Sequence, residues 1–359
     1  MSGDGSYRRV GRGPRTPPVM LGRVWALMLV ALAGCSTKSL APPSPPAVPP
    51  HARPTVGGEV IARNDRFVVY LPAPGEDLRS IAASLLGSEE RDWVIGEYNQ
   101  VDRAEPGQPL VVPLKSPNPM GVRGGEYQTV PILCYHRFGA GGGKMTVSAA
   151  SFAAQLEWLS RNGYRVIRLA DLVAYLKGEQ ALQRRSVVIT IDDGYESVHR
   201  VAFPLLRKHG FPATVFVYTD FIGAGDALNW AQLQELSASG LIDIQAHSKS
   251  HRNLIERGPD ETDELYRRAL EVEMRAPREL LERKLAGSVK HYALPFGDAN
   301  EAVLASLAKQ SYTLAVTVNP GGNAFFAQPL MLHRTMIFGD HDLEAFKARL
   351  ETSKRFVKP

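Results

Sequence analysis

The sequence predicts an α/β protein in which a parallel sheet, closed or nearly closed into a barrel, follows a smaller strand–helix–helix–strand domain. Strand-like and helix-like segments alternate regularly from residue 129 onward, as is typical of such sheets. The apolar, β-branched run 187–191 has the composition of a strand that is buried on both faces. The predicted strands of this domain are 130–135, 164–167, 187–191, 213–218, 242–246, 292–294 and 314–318. The predicted helices are 151–162, 169–176, 195–209, 230–239, 260–285 and 301–310.

The amino-terminal residues have the features of a secretory leader. Five arginines in the first 23 residues precede an apolar run, 24–34, that is too short to span a bilayer. Residues 32–35 resemble a bacterial lipobox, so we expect residues 1–34 to be a lipoprotein signal peptide and Cys35 to carry a lipid. The alternative is an uncleaved anchor with an incidental cysteine. A lipid would hold the protein in the cell envelope, on the periplasmic face of the outer membrane if the cell is Gram-negative. The formal charge of +5 partly reflects this leader and predicts no nucleic-acid partner.

Composition divides the next part of the chain into a Pro- and Ala-rich tether (35–65), a compact domain (66–115) and a linker (116–128). The compact domain resembles a LysM module in the order of its elements and in its short motifs. These motifs are Pro74-Gly75-Glu76-Asp77-Leu78, Ile81-Ala82, Tyr98-Asn99 and Pro106-Gly107-Gln108. The resemblance implies binding to glycans that contain N-acetylglucosamine, usually peptidoglycan. The alternative is that these residues only build a small fold.

Polar side chains that could hold a metal ion follow two of the predicted strands. Asp192 and Asp193 come after strand 187–191, where adjacent carboxylates repel each other unless a cation or a proton separates them. The alternative is that they cap the next helix, although one Asp would suffice. His247 and His251 follow strand 242–246 and face the same side if their turn is helical, as in other paired-histidine zinc sites. One carboxylate and two imidazoles leave positions open for water and substrate.

Three ordered motifs in the main domain, 129–359, resemble those of the polysaccharide deacetylase family, also called the NodB homology domain. They are Thr190-Ile191-Asp192-Asp193-Gly194, His247-Ser248-Lys249-Ser250-His251 and Leu294-Pro295-Phe296-Gly297. The resemblance covers residues 129–338 and implies a distorted (β/α) barrel with fewer than eight repeats, which hydrolyses the acetamide of N-acetylglucosamine residues. It implies that Asp193, His247 and His251 bind Zn²⁺ or another divalent ion such as Co²⁺ or Ni²⁺. Asp192 is implied to be the general base that deprotonates the attacking water.

The family also uses a histidine as the acid that protonates the leaving amine. His136 is the first candidate, because residues 131–138 resemble the entry segment of the branch that acts on poly-β-1,6-N-acetylglucosamine, and His333 is the second. Many members of the family have Arg at the position of Ala293, where it would orient the catalytic Asp. The absence of this Arg agrees with the same branch, and we therefore expect Arg334 to supply the charge from another strand.

Further residues are expected to line the sugar pocket. The residues expected to bind substrate are Tyr135, Trp230, Pro295 and Phe296. For Trp230, packing within the core is an equal alternative. Cys134 is the one cysteine besides Cys35 and is expected to be a buried structural thiol, so no disulfide is predicted within the chain.

Together these features predict a lipid-anchored, metal-dependent polysaccharide de-N-acetylase of the cell envelope. Its expected partners are a polysaccharide that contains N-acetylglucosamine, peptidoglycan through the LysM-like domain, and the membrane through the lipid on Cys35. The sequence leaves the polymer open between poly-β-1,6-N-acetylglucosamine, peptidoglycan and chitin-like oligomers, because loop shape sets linkage preference. The rival prediction is a non-catalytic peptidoglycan-binding lipoprotein with a degenerate barrel; the Asp and His pairs favour the enzyme, whereas Ala293 leaves the rival open.

Overall fold

The computed structural model describes residues 57–140, 143–285 and 287–356, all of which belong to one compact unit. The predicted signal peptide and the predicted lipid attachment site, Cys35, lie outside the described residues. Within the described ranges, no helix is long and apolar enough to cross a membrane.

A small domain begins the described chain. Its elements are β1 (Glu59–Arg63), β2 (Phe67–Leu71), α1 (Leu78–Leu86), a 3₁₀ turn (Glu89–Arg91), α2 (Asp92–Asn99) and β3 (Leu110–Pro113). The strands form an antiparallel sheet in the order β1-β2-β3, with a core that includes Val68, Ile81 and Ile95. Asp77 and Ser80 form a capping box at the start of α1, which satisfies backbone donors that a helix leaves unpaired. The elements follow the predicted strand–helix–helix–strand order, with one strand added in front.

Two predicted connecting segments contain strands instead. β1 lies within the predicted tether 35–65; its five residues are all exposed, so it lacks the alternation of buried and exposed positions that reveals a strand in sequence. The predicted linker 116–128 contains β4 (Val122–Arg123) and β5 (Glu126–Gln128), and β5 pairs with β17 (Ser353–Arg355). Pairing between segments so distant along the chain leaves no local pattern.

The main domain contains the predicted strands, with ends shifted by at most two residues. They are β6 (Val130–Tyr135), β9 (Arg165–Ile167), β10 (Ser186–Ile191), β11 (Ala213–Val217), β12 (Ile242–Ala246), β13 (His291–Ala293) and β14 (Leu314–Val316). Besides β17, the short strands without a sequence prediction are β7 (Arg137–Phe138), β8 (Thr146–Val147), β15 (Gly322–Asn323) and β16 (Thr335–Met336). Every residue of β10 is buried, as its continuous apolar run predicts.

The main sheet is parallel in the order β6-β10-β11-β12-β13-β14 and curls like part of a barrel. β16 pairs in parallel with β6, and Val316 of β14 forms a bridge with Leu332. The segment 332–336 therefore lies between the two outer strands and joins them. This closure agrees with the predicted barrel, and it carries Arg334.

Helices cover the outer face of the sheet with their apolar sides, with one exception. The helices are α3 (Ala149–Arg161), α4 (Asp171–Leu176), α5 (Phe203–His209), α6 (Trp230–Ala238), α7 (Asp263–Lys284), α8 (Glu301–Lys309) and α9 (Leu343–Lys347). The exception is α4, whose Leu172 and Tyr175 pack with the inward-facing residues of the strands. The predicted stripe of α3, formed by Phe152, Leu156 and Leu159, is fully buried. The helix predicted over 195–209 begins instead as a π-helical turn, Val198–Ala202, which runs into α5.

The small domain contacts the amino-terminal edge of the barrel sheet. Glu97 of α2 accepts hydrogen bonds from Arg123 at 3.1 Å and from the backbone of Arg184, just before β10, at 3.0 Å. Asp92 pairs with Arg165, the first residue of β9, at 3.1 Å. The small domain thus lies toward the end of the barrel opposite the strand ends from which Asp193 and His247 extend.

Candidate active site

The turn after β10 sends two adjacent carboxylates in different directions. Asp193 has φ 72° and Gly194 has φ 80°, and a Cβ at Gly194 would lie 2.8 Å from a methyl carbon of Val217, so only glycine fits there. Asp192 is 2% exposed and points into the barrel, whereas Asp193 faces the neighbouring loop. The next helical turn starts after Ser197, which makes no side-chain cap hydrogen bond. The alternative that the two Asp residues cap this helix is therefore wrong.

The two histidines after β12 converge on Asp193. His247 donates its Nδ1–H to the Ala293 carbonyl at 2.8 Å, which directs its Nε2 to within 3.5 Å of Asp193 Oδ1. His251 Nε2 lies 3.3 Å from the same oxygen. The turn between them is not helical, because Ser248 has φ 76° and His251 has φ 62°. The two imidazoles are therefore brought to the same side by a left-handed bend and not by the helical turn that the sequence predicts.

The three side chains form a group that could hold a metal ion. The ligand atoms of Asp193, His247 and His251 all lie within 4.8 Å of one another, and one carboxylate with two imidazoles suits a divalent cation such as Zn²⁺. These are the residues that the sequence proposes as ligands; metal binding itself stays a prediction. The side chains of Cys134, His136 and Asp192 are equally close, but Arg334 donates to both oxygens of Asp192, which makes that group less suited to a cation.

Arg334 reaches Asp192 from the closing segment 332–336. Its Nη1 and Nη2 donate to the two carboxylate oxygens at 2.7 and 2.6 Å, and its Nε donates to the Thr317 carbonyl at 2.7 Å. The guanidinium is fully buried, so the pair is held rigidly and away from water. Arg334 thus supplies the positive charge beside Asp192 that an Arg at the position of Ala293 supplies in many members of the family, as the sequence leads one to expect.

Charges oppose burial at these acidic groups. Burial alone would raise the pKa of Asp192, but Arg334 and His247 hold it below its usual value. Burial would also raise the pKa of Asp193, and hydrogen bonds from His247 and His251 bring it far below. Burial disfavours a charged His247, yet the negative charges of the two Asp residues raise its pKa. A cation bound among these groups would reverse the shift at His247, because it competes with the proton.

Alternation along β6 separates the residues that reach the site from those that do not. Cys134 and His136 lie on one face: Cys134 Sγ is 3.6 Å from Asp192 Oδ2, and the His136 ring is close to the same carboxylate. Burial lowers the pKa of His136, an effect that the two Asp charges partly offset. Tyr135 points the other way; it is fully buried and its hydroxyl donates to Gln155 at 2.9 Å, so the prediction that Tyr135 binds substrate is wrong.

His333 is turned away from the catalytic groups. Adjacent residues of an extended segment point to opposite faces, and Arg334 takes the inward direction. The His333 side chain is exposed, and its Nδ1 lies 3.2 Å from the Pro320 carbonyl oxygen. Of the two histidines predicted as the acid, His136 is the one beside Asp192.

Aromatic side chains surround His251. Phe296 is 58% exposed and its ring centroid is 5.0 Å from that of His251, so it is accessible to a substrate, whereas Pro295 is buried. Trp230 packs instead beside Lys284 at the end of α7, which favours the core-packing alternative. Tyr218, which the sequence analysis did not single out, lies 5.0 Å from His251. Its position as the last residue of predicted strand 213–218 was the available signal.

A curled α/β sheet whose carboxyl edge carries an Asp–His–His group beside an Arg-held Asp defines a class of protein suited to metal-assisted hydrolysis.

Comparison with known proteins makes this class specific. Residues 179–315 match the polysaccharide deacetylase family model, and the protein is an amide hydrolase, as the sequence predicts. The YxkH protein of Bacillus subtilis (strain 168) is 28% identical over 225 residues, which are 63% of this chain and 77% of that protein. The poly-beta-1,6-N-acetyl-D-glucosamine N-deacetylase of Escherichia coli (strain K12) is 24% identical over 243 residues, which are 58% of this chain but 36% of that protein. The structure of IcaB from Ammonifex degensii is 26% identical, with a TM-score of 0.56 over 62% of this chain and 97% of that one.

Proposed function

We propose that this protein is a metal-dependent hydrolase that removes N-acetyl groups from a polysaccharide containing N-acetylglucosamine in the cell envelope. The observation that supports this most is the convergence of Asp193, His247 and His251 beside the Asp192–Arg334 pair. These groups come from separate strand ends and from the closing segment, and a shared location would be an improbable outcome of packing alone. A divalent ion held by the first three would polarise the amide and the attacking water.

The remaining groups have complementary roles in this proposal. Asp192 takes a proton from the attacking water while the oxygen of that water forms the new bond to the acetamide carbon. Arg334 keeps the Asp192 carboxylate ionised and fixed in orientation. His136 donates a proton to the nitrogen as the carbon–nitrogen bond breaks, which releases acetate and leaves a free amine on the sugar. Burial lowers the pKa of His136, which makes its imidazolium the stronger acid, and the negative charges of Asp192 and Asp193 act in the opposite direction and favour that imidazolium.

Poly-β-1,6-N-acetylglucosamine is the polymer that we propose first. The named activity of the Escherichia coli relative supports it, as do the apolar faces of Phe296 and Tyr218 next to His251, on which sugar rings could stack. Peptidoglycan is the second candidate, because the small domain resembles a LysM module. We further propose that a lipid on Cys35 and the tether hold the enzyme at the membrane.

Acetate release from purified protein tests the proposal. Incubation with poly-β-1,6-N-acetylglucosamine, peptidoglycan and a chitin oligomer should give the fastest release from the first, with loss of activity after chelation and recovery with Zn²⁺ or Co²⁺. Asp192→Asn and His251→Ala should abolish release while their circular dichroism spectra match that of the wild type. Turnover by either variant, or a wild type that is silent on all three polymers, would refute the mechanism.

A further inference from the structure

Glu273 of α7 is a buried carboxylate that binds the segment between the two histidines. It is 6% exposed and accepts three hydrogen bonds from that segment. The backbone N–H groups of Lys249 and Ser250 donate to Oε2, both at 2.9 Å, and the Ser250 hydroxyl donates to Oε1 at 2.7 Å. The buried stripe of α7, a helix that the structure describes in full, is otherwise uncharged: Tyr266, Leu270, Met274, Pro277 and Leu281. A carboxylate in such a stripe requires partners, and the loop supplies them.

The bound segment has a backbone that does not form easily on its own. Ser248 and His251 both have positive φ, at 76° and 62°, which is uncommon for residues other than glycine and persists where surrounding contacts hold it. This bend brings His251 Nε2 to 3.3 Å from Asp193, where a helical turn or an extended loop would direct the imidazole elsewhere. The geometry of the second histidine therefore depends on what holds the loop.

The segment is held from two sides. On one side, the backbone N–H groups of Thr219 and Asp220, just after β11, donate to the carbonyls of Ser248 and Lys249. On the other side, Glu273 accepts from the N–H groups of Lys249 and Ser250. Without Glu273, two partly buried backbone donors would lose the acceptor that ties them to α7, and the loop would no longer be held from this side.

We propose that Glu273 is a positioning residue, which fixes the loop so that His247 and His251 present their imidazoles to one cation. Glu273 does not contact the reacting atoms; it acts through the backbone between the two ligands. The inference rests on the proposed function in one respect, that Asp193 and the two histidines hold a divalent ion.

Zinc affinity of the purified chain, measured by competition with a chromophoric chelator, tests this role. Glu273→Ala should weaken zinc binding about 10- to 100-fold, the usual effect of losing a group that orients metal ligands. Glu273→Gln keeps an acceptor oxygen in the same place and should recover most of the affinity. Glu279→Ala is the matched control, because Glu279 lies on the exposed face of the same helix and pairs with Arg275. The zinc affinity of this variant should equal that of the wild type.

The absorption spectrum of bound Co²⁺ gives a second readout, which a purely structural tie between helix and loop would leave unchanged. It should change shape in Glu273→Ala and not in Glu279→Ala. If Glu273→Ala does not fold, Ser250→Ala decides, because it removes one of the three hydrogen bonds and should weaken zinc binding about threefold. Wild-type zinc affinity in a folded Glu273→Ala, or in Ser250→Ala if the former does not fold, overturns the positioning role alone. A wild type that binds no divalent ion overturns the proposed metal site and this inference together.

Discussion

His247 and His291 are both buried histidines beside neighbouring strands of the barrel, yet His247 follows the end of β12, His291 begins β13, and the two differ in chemistry. His247 follows β12 at the carboxyl edge, is 2% exposed and faces Asp192 and Asp193. His291 is the first residue of β13, is 4% exposed, and has Thr313 Oγ1 at 3.2 Å from its Nδ1. Burial acts on both imidazoles in the same direction. Two carboxylates raise the pKa of His247, whereas burial lowers the pKa of His291 to about 4.

The difference shows that burial alone does not make a histidine a candidate ligand. His247 has carboxylates in front of it and a backbone carbonyl behind it, so its charge state and its orientation are both set. The charge beside His291 is that of Lys290, which works against protonation. The carboxyl edge of the sheet around His247 is therefore organised around charge, whereas burial dominates at His291, the first residue of β13. Four predictions test that contrast.

The largest effect is expected from exchanging each histidine for glutamine. His247→Gln should lose bound metal and acetate release, because it removes one of three ligands. His291→Gln should keep both within about twofold, since it contacts no group of the site. Metal content by mass spectrometry and acetate release check the pair. If both variants lost metal and acetate release equally, any substitution of a buried histidine would have the same effect, and the contrast between His247 and His291 would be false.

Next in size is the removal of Arg334. Arg334→Met leaves the Asp192 carboxylate buried without its partner and should lower the free energy of unfolding by about 3–5 kcal/mol, with loss of activity. Urea unfolding measures the change. The double variant Asp192→Asn/Arg334→Met should regain part of the stability, because no charge is then left unpaired, but no activity. A single variant as stable as the wild type would contradict the buried pair.

The pH dependence of stability should isolate His291. Its pKa is about 4 in the folded chain and about 6.5 when unfolded, so the unfolded state binds the extra proton between these values. Stability from this residue is therefore complete above about pH 6.5 and is lost as pH falls toward 4, by about 3 kcal/mol at most. Urea unfolding of the wild type and of His291→Gln from pH 7 to 4.5 should show the smaller decline in the variant. Parallel curves would refute this assignment.

The smallest effect concerns Phe296 beside His251. Phe296→Ala removes an exposed ring, so stability should change by less than about 0.5 kcal/mol, while KM should rise about 3- to 10-fold with kcat nearly unchanged. Phe326→Ala is the control, because Phe326 is 62% exposed in a different aromatic cluster, with Tyr127. A loss confined to kcat in Phe296→Ala would place the ring in the chemical step and contradict a binding role.

Several errors in the sequence-based predictions have a common cause. Tyr135 and His136 are adjacent, and so are His333 and Arg334, and in each pair one residue enters the barrel while the other leaves it. Strand alternation predicts that the members of a pair differ, but not which member points inward. That depends on the register of β6 and of the closing segment against their neighbours.

The sequence by itself determined the local chemistry. The buried run of β10 predicts its strand, and the Asp-Asp-Gly and His-x-x-x-His motifs predict acidic and imidazole groups at strand ends, because side-chain periodicity and turn residues are local properties. Only the tertiary structure decided which groups meet. The pairing of Arg334 with Asp192, 142 residues apart, was expected only from the family resemblance, and the contact of Glu273 in α7 with the loop of His251 was not expected at all. Such contacts depend on how strands and helices pack, and a linear sequence carries no local signal for them.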